Sequence, residues 1–522
     1  MRTLLVTGAG GAGRTTAAAA TALAAARRGA RTLLLTGDRA VVDPLLPPAV
    51  PGAPGGHGNG DGSGRRGEVT ATRLPLPSPV ADVDLLYVAR VDPAASYRAG
   101  ALDVQARIGS LLAMLGAPPL DPEELTELPG AEAFALLRAL REARAVPAEG
   151  GGAGGDPADG PGAPLPGAGW DLVVVDLPPV REAVALLALP EQLRRYLRRL
   201  LPADRQAARA LRPVLAQLAG VPMPAEWAYD AATRADRELA AVQRVIDAAG
   251  TAVAVVLDPS GPSAADVLST ARTGLALHGH RLAGVLADRV LPTGSADPFL
   301  AALSAEQQDV LTSLAAQCAE RAGHDVRAGR DGHDVRADRT GHDPRAGRTG
   351  HDPRAGRDGH APHADREARA VDDGHGAREV PHHEIPHFGR APRTPADLAA
   401  LADALDAAGW PAGAAPGFGH GPAEGGVTGG AAEPDAPRPD PWHVADRLAA
   451  EGHLVWTLPL PGAGREGLDL VRRGDELVVD AGGFRRIVPL PSALRRCTVA
   501  GAALRDGALR VRFTPDPGLW PR

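Results

Sequence analysis

The sequence contains no lysine, and every one of its 56 Lys+Arg positions is arginine. An arginine where lysine chemistry is expected therefore reflects a drift of the whole composition before it reflects selection at that site. Cysteine is nearly as scarce. Cys318 and Cys497 stand far apart, which excludes a disulfide framework and any paired-thiolate metal motif. Aromatic residues make up 3% of the chain against 44% hydrophobic residues, so the core has to be built from Ala, Val and Leu. No run reaches the ~18 uninterrupted apolar residues of a membrane helix, and no charged-then-apolar leader precedes the first apolar run. The formal net charge of −7 removes the electrostatic case for nucleic acid or an anionic membrane as partner. These absences point to a soluble, cytoplasmic protein without a transmembrane segment. At 522 residues the chain exceeds one ordinary domain.

What is present begins with MRTLLVTGAGGAGRTT. Gly8, Gly10 and Gly13 satisfy the dinucleotide fingerprint G-x-G-x-x-G. Gly8 to Thr15 equally satisfy a phosphate-binding P-loop, with Arg14 in the lysine position. Three features favour the P-loop. Arg14, Thr15 and Thr16 follow the last glycine directly. A P-loop needs a cation there for the β/γ-phosphates and a hydroxyl for Mg²⁺, whereas a dinucleotide fold needs neither. The acid after the second strand, Asp38, lies further past Gly13 than the ~20 residues expected of a ribose-binding acid. The run DLVVVD ends at Asp176 in the manner of a strand whose terminal carboxylate holds the Mg²⁺ shell. On this reading the backbone from Gly10 through Gly11, Ala12, Gly13, Arg14 and Thr15 cradles phosphates at a helix N-terminus, where donors are unsatisfied and the dipole favours anions. An NAD(P)-binding oxidoreductase remains the reading of GAGGAG alone.

Strand–loop–helix–strand order predicts an α/β fold with a mostly parallel sheet. The strands are Arg2–Thr7, Thr32–Leu35, Val83–Ala89, Asp171–Asp176, Thr251–Leu257 and Leu282–Ala287. Arg14–Arg28 and Leu125–Ala145 read as helices, and 183–249 as a mostly helical subdomain. Gly/Pro-rich insertions fall near 48–68 and 146–169. This NTPase domain spans 1–320. Beyond it, His324, His333, His342, His351 and His360 recur at a spacing of nine. With almost nothing apolar to bury, 321–379 reads as a disordered repeat. A metal-binding tract is the sharper alternative, opposed by the entropy lost in gathering flexible ligands. Residues 380–410 return to the domain, 411–441 form a Gly/Pro linker, and 442–522 alternate as a small all-β, sandwich-like domain.

Taken together, these segments resemble the ArsA/tail-anchored-protein-targeting ATPases, within the deviant-Walker group that includes the MinD and ParA ATPases. Gly8–Thr16, GAGGAGRTT, is similar to the family's GKGGVGKTT. Thr36–Ala40 (TGDRA) resembles its switch I, Val91–Tyr97 its IDP segment, and Leu128–Leu137 its PG-acid helix start. Asp176–Leu197 resembles switch II, and Ala287–Pro292 (ADRVLP) the NRVLP segment. The C-terminal domain resembles the α-crystallin-like (small heat-shock) domain of some members. The resemblance implies a homodimer that binds ATP and Mg²⁺, with an unidentified protein client or partner. It assigns Thr15 and Asp176 to the metal, Asp38 to orienting the attacking water, Arg14 to the phosphates and Asp288 to the base.

The departures from the family pattern are specific. Ala9 stands where the family carries a lysine that reaches the partner's nucleotide. Leu177, Val180 and Arg181 replace the Thr, Gly and His of switch II, and a glycine there lets the backbone move as valine does not. Asp288 replaces an Asn, and an ionised Asp accepts but cannot donate to adenine. Neither a CxxC zinc clasp nor an arsenite-type cysteine cluster exists. Leu193, Leu197, Leu200 and Leu201 could line an apolar client groove, but read as ordinary helix core. The expected function is MgATP binding with weak hydrolysis coupled to a partner or client. A degenerate pseudo-ATPase scaffold is the alternative.

Overall fold

The computed structural model describes residues 1–47, 71–73, 85–107, 120–127, 130–144, 170–200, 226–260, 263–319, 380–410 and 435–520. The histidine repeat, the two Gly/Pro-rich insertions and Leu201 lie outside the described residues. The first domain is built on an eight-stranded sheet. Its strands are β1 (Arg2–Gly8), β2 (Thr32–Thr36), β3 (Ala71–Arg73), β4 (Leu86–Arg90), β5 (Leu172–Asp176), β6 (Thr251–Leu257), β7 (Leu282–Val290) and β8 (His382–Pro386). Their spatial order is β3-β4-β2-β5-β1-β6-β7-β8. All neighbours from β4 to β8 pair in parallel, and only the edge strand β3 runs antiparallel. Helices cover both faces, which is why the central strands read as unbroken Val/Leu runs: every residue of β2, β5 and β6 is buried.

Inserting β5 between β1 and β2 is what builds the site. Val6 pairs with Asp176 and Leu35 with Val175. The loops leaving β1, β2 and β5 therefore open side by side at the carboxyl edge of the sheet, where ligands of open α/β sheets bind.

The helices of this domain are α1 (Arg14–Arg27), α2 (Arg39–Leu45), α3 (Pro93–Arg107), α4 (Ala131–Arg144), α5 (Val180–Leu200), α6 (Glu226–Ile246), α7 (Ser263–His278), α8 (Pro298–Ala319) and α9 (Pro395–Ala407). Helix α1 is buried along Ala17–Ala26. Only a run of alanines lets the sheet and a second helix approach it from both sides. That second helix is α9, opened by a capping box in which Thr394 and Asp397 satisfy each other's backbone. Trp410 follows it, 1% exposed, and donates its indole N–H to Thr21 Oγ1 at 3.0 Å.

Some elements differ from the sequence reading. Helix α4 starts at Ala131 rather than Leu125, because Gly130 before it holds φ at 93°, which no helix accommodates. Leu193 and Leu197 are only half-buried and Leu200 is 74% exposed, so the end of α5 is not ordinary core.

The second domain carries β9 (His443–Arg447), β10 (His453–Pro459), β11 (Leu468–Arg473), β12 (Glu476–Ala481), β13 (Phe484–Pro489), β14 (Cys497–Arg505) and β15 (Ala508–Pro515). They form two antiparallel sheets, β14-β15-β10-β9 and β11-β12-β13. Alternate residues point inward, and Trp456, Leu458, Val479, Val511 and Phe513 are fully buried. This domain packs on the first. The Phe484 ring sits on Gly274 of α7, where a Cβ would come within 2.8 Å of it. Arg195 of α5 grips Glu476 with two hydrogen bonds of 3.1 and 2.6 Å. The segment before β9 is seated too: Ala249 N–H donates to Ala436 O at 2.8 Å, and Arg438 N–H to Asp247 O at 2.9 Å.

The clamp on α1 is testable. Trp410→Phe keeps most of the ring but loses the hydrogen bond to Thr21, and should cost about 1 kcal/mol. Trp410→Ala also opens a cavity and should cost about 3–5 kcal/mol. Denaturant unfolding of the two variants should keep that order.

Candidate nucleotide-binding site

The loop between β1 and α1 is shaped by glycine. Gly8 ends β1 so close to β6 that a Cβ would lie 1.9 Å from Val256 O. Gly11 and Gly13 hold φ at 75° and 80°, the left-handed region that side chains disfavour. Gly13 is the N-cap of α1 and provides no side-chain cap. The first turn of α1, Arg14–Thr15–Thr16, carries no acidic residue. Its N–H groups are left for an external acceptor, which the helix dipole makes an anion.

Asp176 closes β5 at the mouth of this loop and is 8% exposed. Thr36, at the end of β2, donates its hydroxyl to Asp176 Oδ2 at 2.9 Å. Asp176 Oδ1 is buried with no hydrogen-bond partner. Burial raises the Asp176 pKa above the ordinary carboxylate value, against the opposing influence of the Thr15 and Thr36 hydroxyls and Arg14. A buried, partnerless carboxylate oxygen beside a hydroxyl suits a hard divalent cation. Mg²⁺ takes few protein ligands and completes its shell with water and phosphate. Among the described residues no cluster of three or more His, Cys, Asp or Glu could hold a metal alone. Asp176 and Thr15 therefore fit Mg²⁺ that arrives with a polyphosphate.

The other candidates sit around this pair. Arg14 extends its guanidinium to the Leu177 carbonyl, just past β5. Asp38 is exposed and caps α2, its Oδ1 accepting from Val41 N–H at 3.1 Å. Its own N–H donates to Thr36 Oγ1 at 3.1 Å, so Thr36 links Asp38 to Asp176. Asp288, near the end of β7, abuts the loop: its Oδ2 is 2.6 Å from where Gly13 would carry a Cβ. Ala9 provides no charge. The structure thus gathers Asp38, Asp176, Asp288, Arg14 and Thr15 at one edge of the sheet. Sequence reading passed over Thr36 as a partner of Asp176, and Arg289, whose Nη2 donates to Gly11 O at 2.6 Å. Thr36 was visible within TGDRA. Arg289 was visible within ADRVLP, but its contact with the loop was not.

Two segments, residues 1–42 and 78–321, match the anion-transporting ATPase family. The chain belongs to that family. Residues 451–513 match the HSP20-like domain found in ArsA. Over its full length the chain is 44% identical to the full length of the uncharacterized protein SCO2128 of Streptomyces coelicolor. Protein Rv2184c of Mycobacterium tuberculosis is 55% identical over 64 residues, which cover 12% of this chain and 15% of that protein. Membership supports a nucleotide-binding, ATPase-like function. No helix among the described residues is long and apolar enough to cross a membrane.

Asp288 gives this site a pH signature. Burial pushes its pKa up from 3.8 to about 6, with Arg289 working the other way. Between those values the folded chain binds the proton more tightly than the unfolded chain, so this group's contribution to stability falls as pH rises. Above about 6 its full ionisation cost is present. Asp288→Asn should therefore raise the melting temperature at pH 7.5, and the gain should shrink toward pH 4.5. A gain independent of pH would show that ionisation is not its source.

Proposed function

We propose that this anion-transporting ATPase family member binds MgATP in the β1–α1 loop, hydrolyses it slowly, and passes its nucleotide state to a partner or client. The observation that carries the reading is the partnerless, buried Asp176 Oδ1 beside Thr15, at the head of a glycine nest with no acid in its first turn. The backbone from Gly10 to Thr15 accepts the phosphates, with Thr16 following in the same turn. Thr15 and Asp176 hold the Mg²⁺, which when bound neutralises phosphate charge during transfer. Arg14 leaves the Leu177 carbonyl to contact the phosphates. Asp38 orients water once it releases Val41, so its cap and its catalytic role exclude each other. Asp288 meets the base.

The route from this site to the HSP20-like domain is short. Helix α5 starts four residues past Asp176, and its side chains reach the β domain. Arg195 holds Glu476, Glu191 lies 3.5 Å from Arg486, and Arg181 stacks over the Phe484 ring with its guanidinium carbon 5.9 Å from the centroid. A client would find an apolar cavity of about 780 Å³ between α3, α4 and α6, lined by Tyr97, Leu120, Phe134, Leu137 and Val242.

A second reading, a nucleotide-independent scaffold, has its own support. Val180 is 4% exposed and packs with Leu257, Leu268 and Leu311. Together with Arg181 on Phe484 it anchors the start of α5 at the two positions where the family pattern has a mobile glycine and a histidine.

Phosphate release from MgATP separates the readings. Slow turnover that Asp38→Asn and Asp176→Asn each reduce to background supports the ATPase. MgATP binding with the same background release in all three proteins supports the scaffold. No MgATP binding by the wild type overturns the ATPase reading and leaves the nucleotide-independent scaffold. If the docked β domain holds α5 still, Glu476→Arg sets like charges beside Arg195 and should raise turnover several-fold. Unchanged turnover from an undocked β domain, scored by limited proteolysis, would remove the coupling.

A further inference from the structure

The phosphate loop is bordered by acids as well as by amides. Asp258 lies one residue past β6 and Asp288 two residues before the end of β7. Two carboxylates so near a site for polyphosphate repel the ligand unless a cation offsets them. Arg14 is turned toward Leu177 and Ala9 is neutral. Among the described residues, the cation that contacts the loop backbone is Arg289.

Arg289 touches everything that matters here. Its Nη2 donates to Gly11 O at 2.6 Å and lies 2.8 Å from Asp258 Oδ2. Its Nε is 3.8 Å from Asp288 Oδ2, and its backbone N–H donates to Asp288 Oδ1 at 3.0 Å. The residue holds φ at 64°, one of two non-glycine residues at positive φ among those described. That conformation is unfavourable for a side chain and persists only where the surroundings enforce it. Gln307 of α8 enforces it. Being 2% exposed, Gln307 donates to Arg289 O at 3.3 Å and accepts from Leu291 N–H at 2.8 Å. The structure maintains a strained backbone whose effect is to aim one guanidinium at the tip of the loop.

Two consequences follow from that aim. In a trans peptide the carbonyl and the next N–H point in opposite directions. Arg289 holds the Gly11 carbonyl, and the N–H at the other end of the same peptide, that of Ala12, donates to Ala9 O at 3.4 Å, so both ends of the Gly11–Ala12 peptide are tied. The same guanidinium neutralises Asp258 and adds attraction at Asp288. We infer that Arg289 is a positioning residue for the phosphates: it pins the Gly11–Ala12 peptide at the tip of the loop and masks the two flanking carboxylates. This rests on the MgATP reading above.

The test uses the full-length chain and the N-methylanthraniloyl analogue of ATP with Mg²⁺, titrated by fluorescence. Glycine suits φ 64°, so Arg289→Gly removes the guanidinium while relieving the backbone, and its melting temperature should not fall. The dissociation constant of Arg289→Gly should rise about tenfold or more, equivalent to about 1.4 kcal/mol. Adding Asp258→Asn should recover a large part of that loss, because the unmasked carboxylate is gone. A merely structural role would not be rescued by removing a second polar group. Wild-type affinity in Arg289→Gly overturns the inference while leaving the MgATP reading standing. Loss of affinity without rescue by Asp258→Asn overturns the masking role. A wild-type chain that binds no analogue overturns the inference and the MgATP reading together.

Discussion

Burying the carboxyl of Asp176 is the constraint on which the rest of the site depends. A carboxylate at 8% exposure needs partners, and the fold sets the hydroxyls of Thr36 and Thr15 beside it, Thr36 donating to Oδ2. The other oxygen is buried with no hydrogen-bond partner. This incomplete satisfaction costs stability and creates affinity for a cation at one place. It also explains the neighbours. Thr36 is at the end of β2 because β5 lies between β1 and β2 in register, so that the three strand ends share one edge. Thr36 in turn accepts the N–H of Asp38, which ties the start of α2 to the same carboxyl. A change of charge at Asp176 therefore has a hydrogen-bonded path to Asp38 without any change in packing.

The second constraint is steric. A chain with so few aromatics has to pack closely around the base of the loop. Helix α1 is alanine where the sheet and α9 press on it, and Gly8 lets β1 and β6 meet with no side chain between. Close packing of small residues makes the base of the loop stiff. The few large aromatics are spent where distant segments must be held: Trp410 ties the segment beyond the histidine repeat to α1, and Phe484 ties the β domain to α7. A loop on a rigid base, bordered by one strained arginine, has little freedom to rearrange. Selectivity must then come from charge placement.

The sheet was legible in the sequence because strands covered on both faces read as continuous Val and Leu, and β1, β2, β5, β6 and β7 carry little else. The loop was legible because glycines at left-handed positions cannot be replaced cheaply. What was hidden depended on side chains meeting across the chain. The helix that Asp38 caps is seven residues long and contains Pro44, so neither periodicity nor propensity announces it. The leucines of α5 read as core by spacing alone, yet Leu200 faces outward, since burial depends on which elements pack beside that turn. Arg289 lies within ADRVLP, but that pattern says nothing of its backbone angle or its contact with Gly11. The joining of the two domains is invisible for the same reason, because Arg195 and Glu476 are partners only through the fold.

That joining changes how Val180 and Arg181 are understood. By sequence they are losses, a valine and an arginine where a mobile glycine and a histidine belong in the family pattern. In the fold each has a job. Val180 fills the apolar cluster beneath β6, and Arg181 covers the ring of Phe484. Cation–π contact of this kind contributes on the order of 1 kcal/mol, and the bidentate Arg195–Glu476 pair is partly shielded from solvent. A helix pinned at its start by packing and along its length by another domain moves as a unit or not at all. Motion that a single glycine would absorb locally would here have to include the β domain. The substitutions that weaken a local switch are thus the ones that connect Asp176, four residues upstream, to the face of the HSP20-like domain that β12 and β13 present.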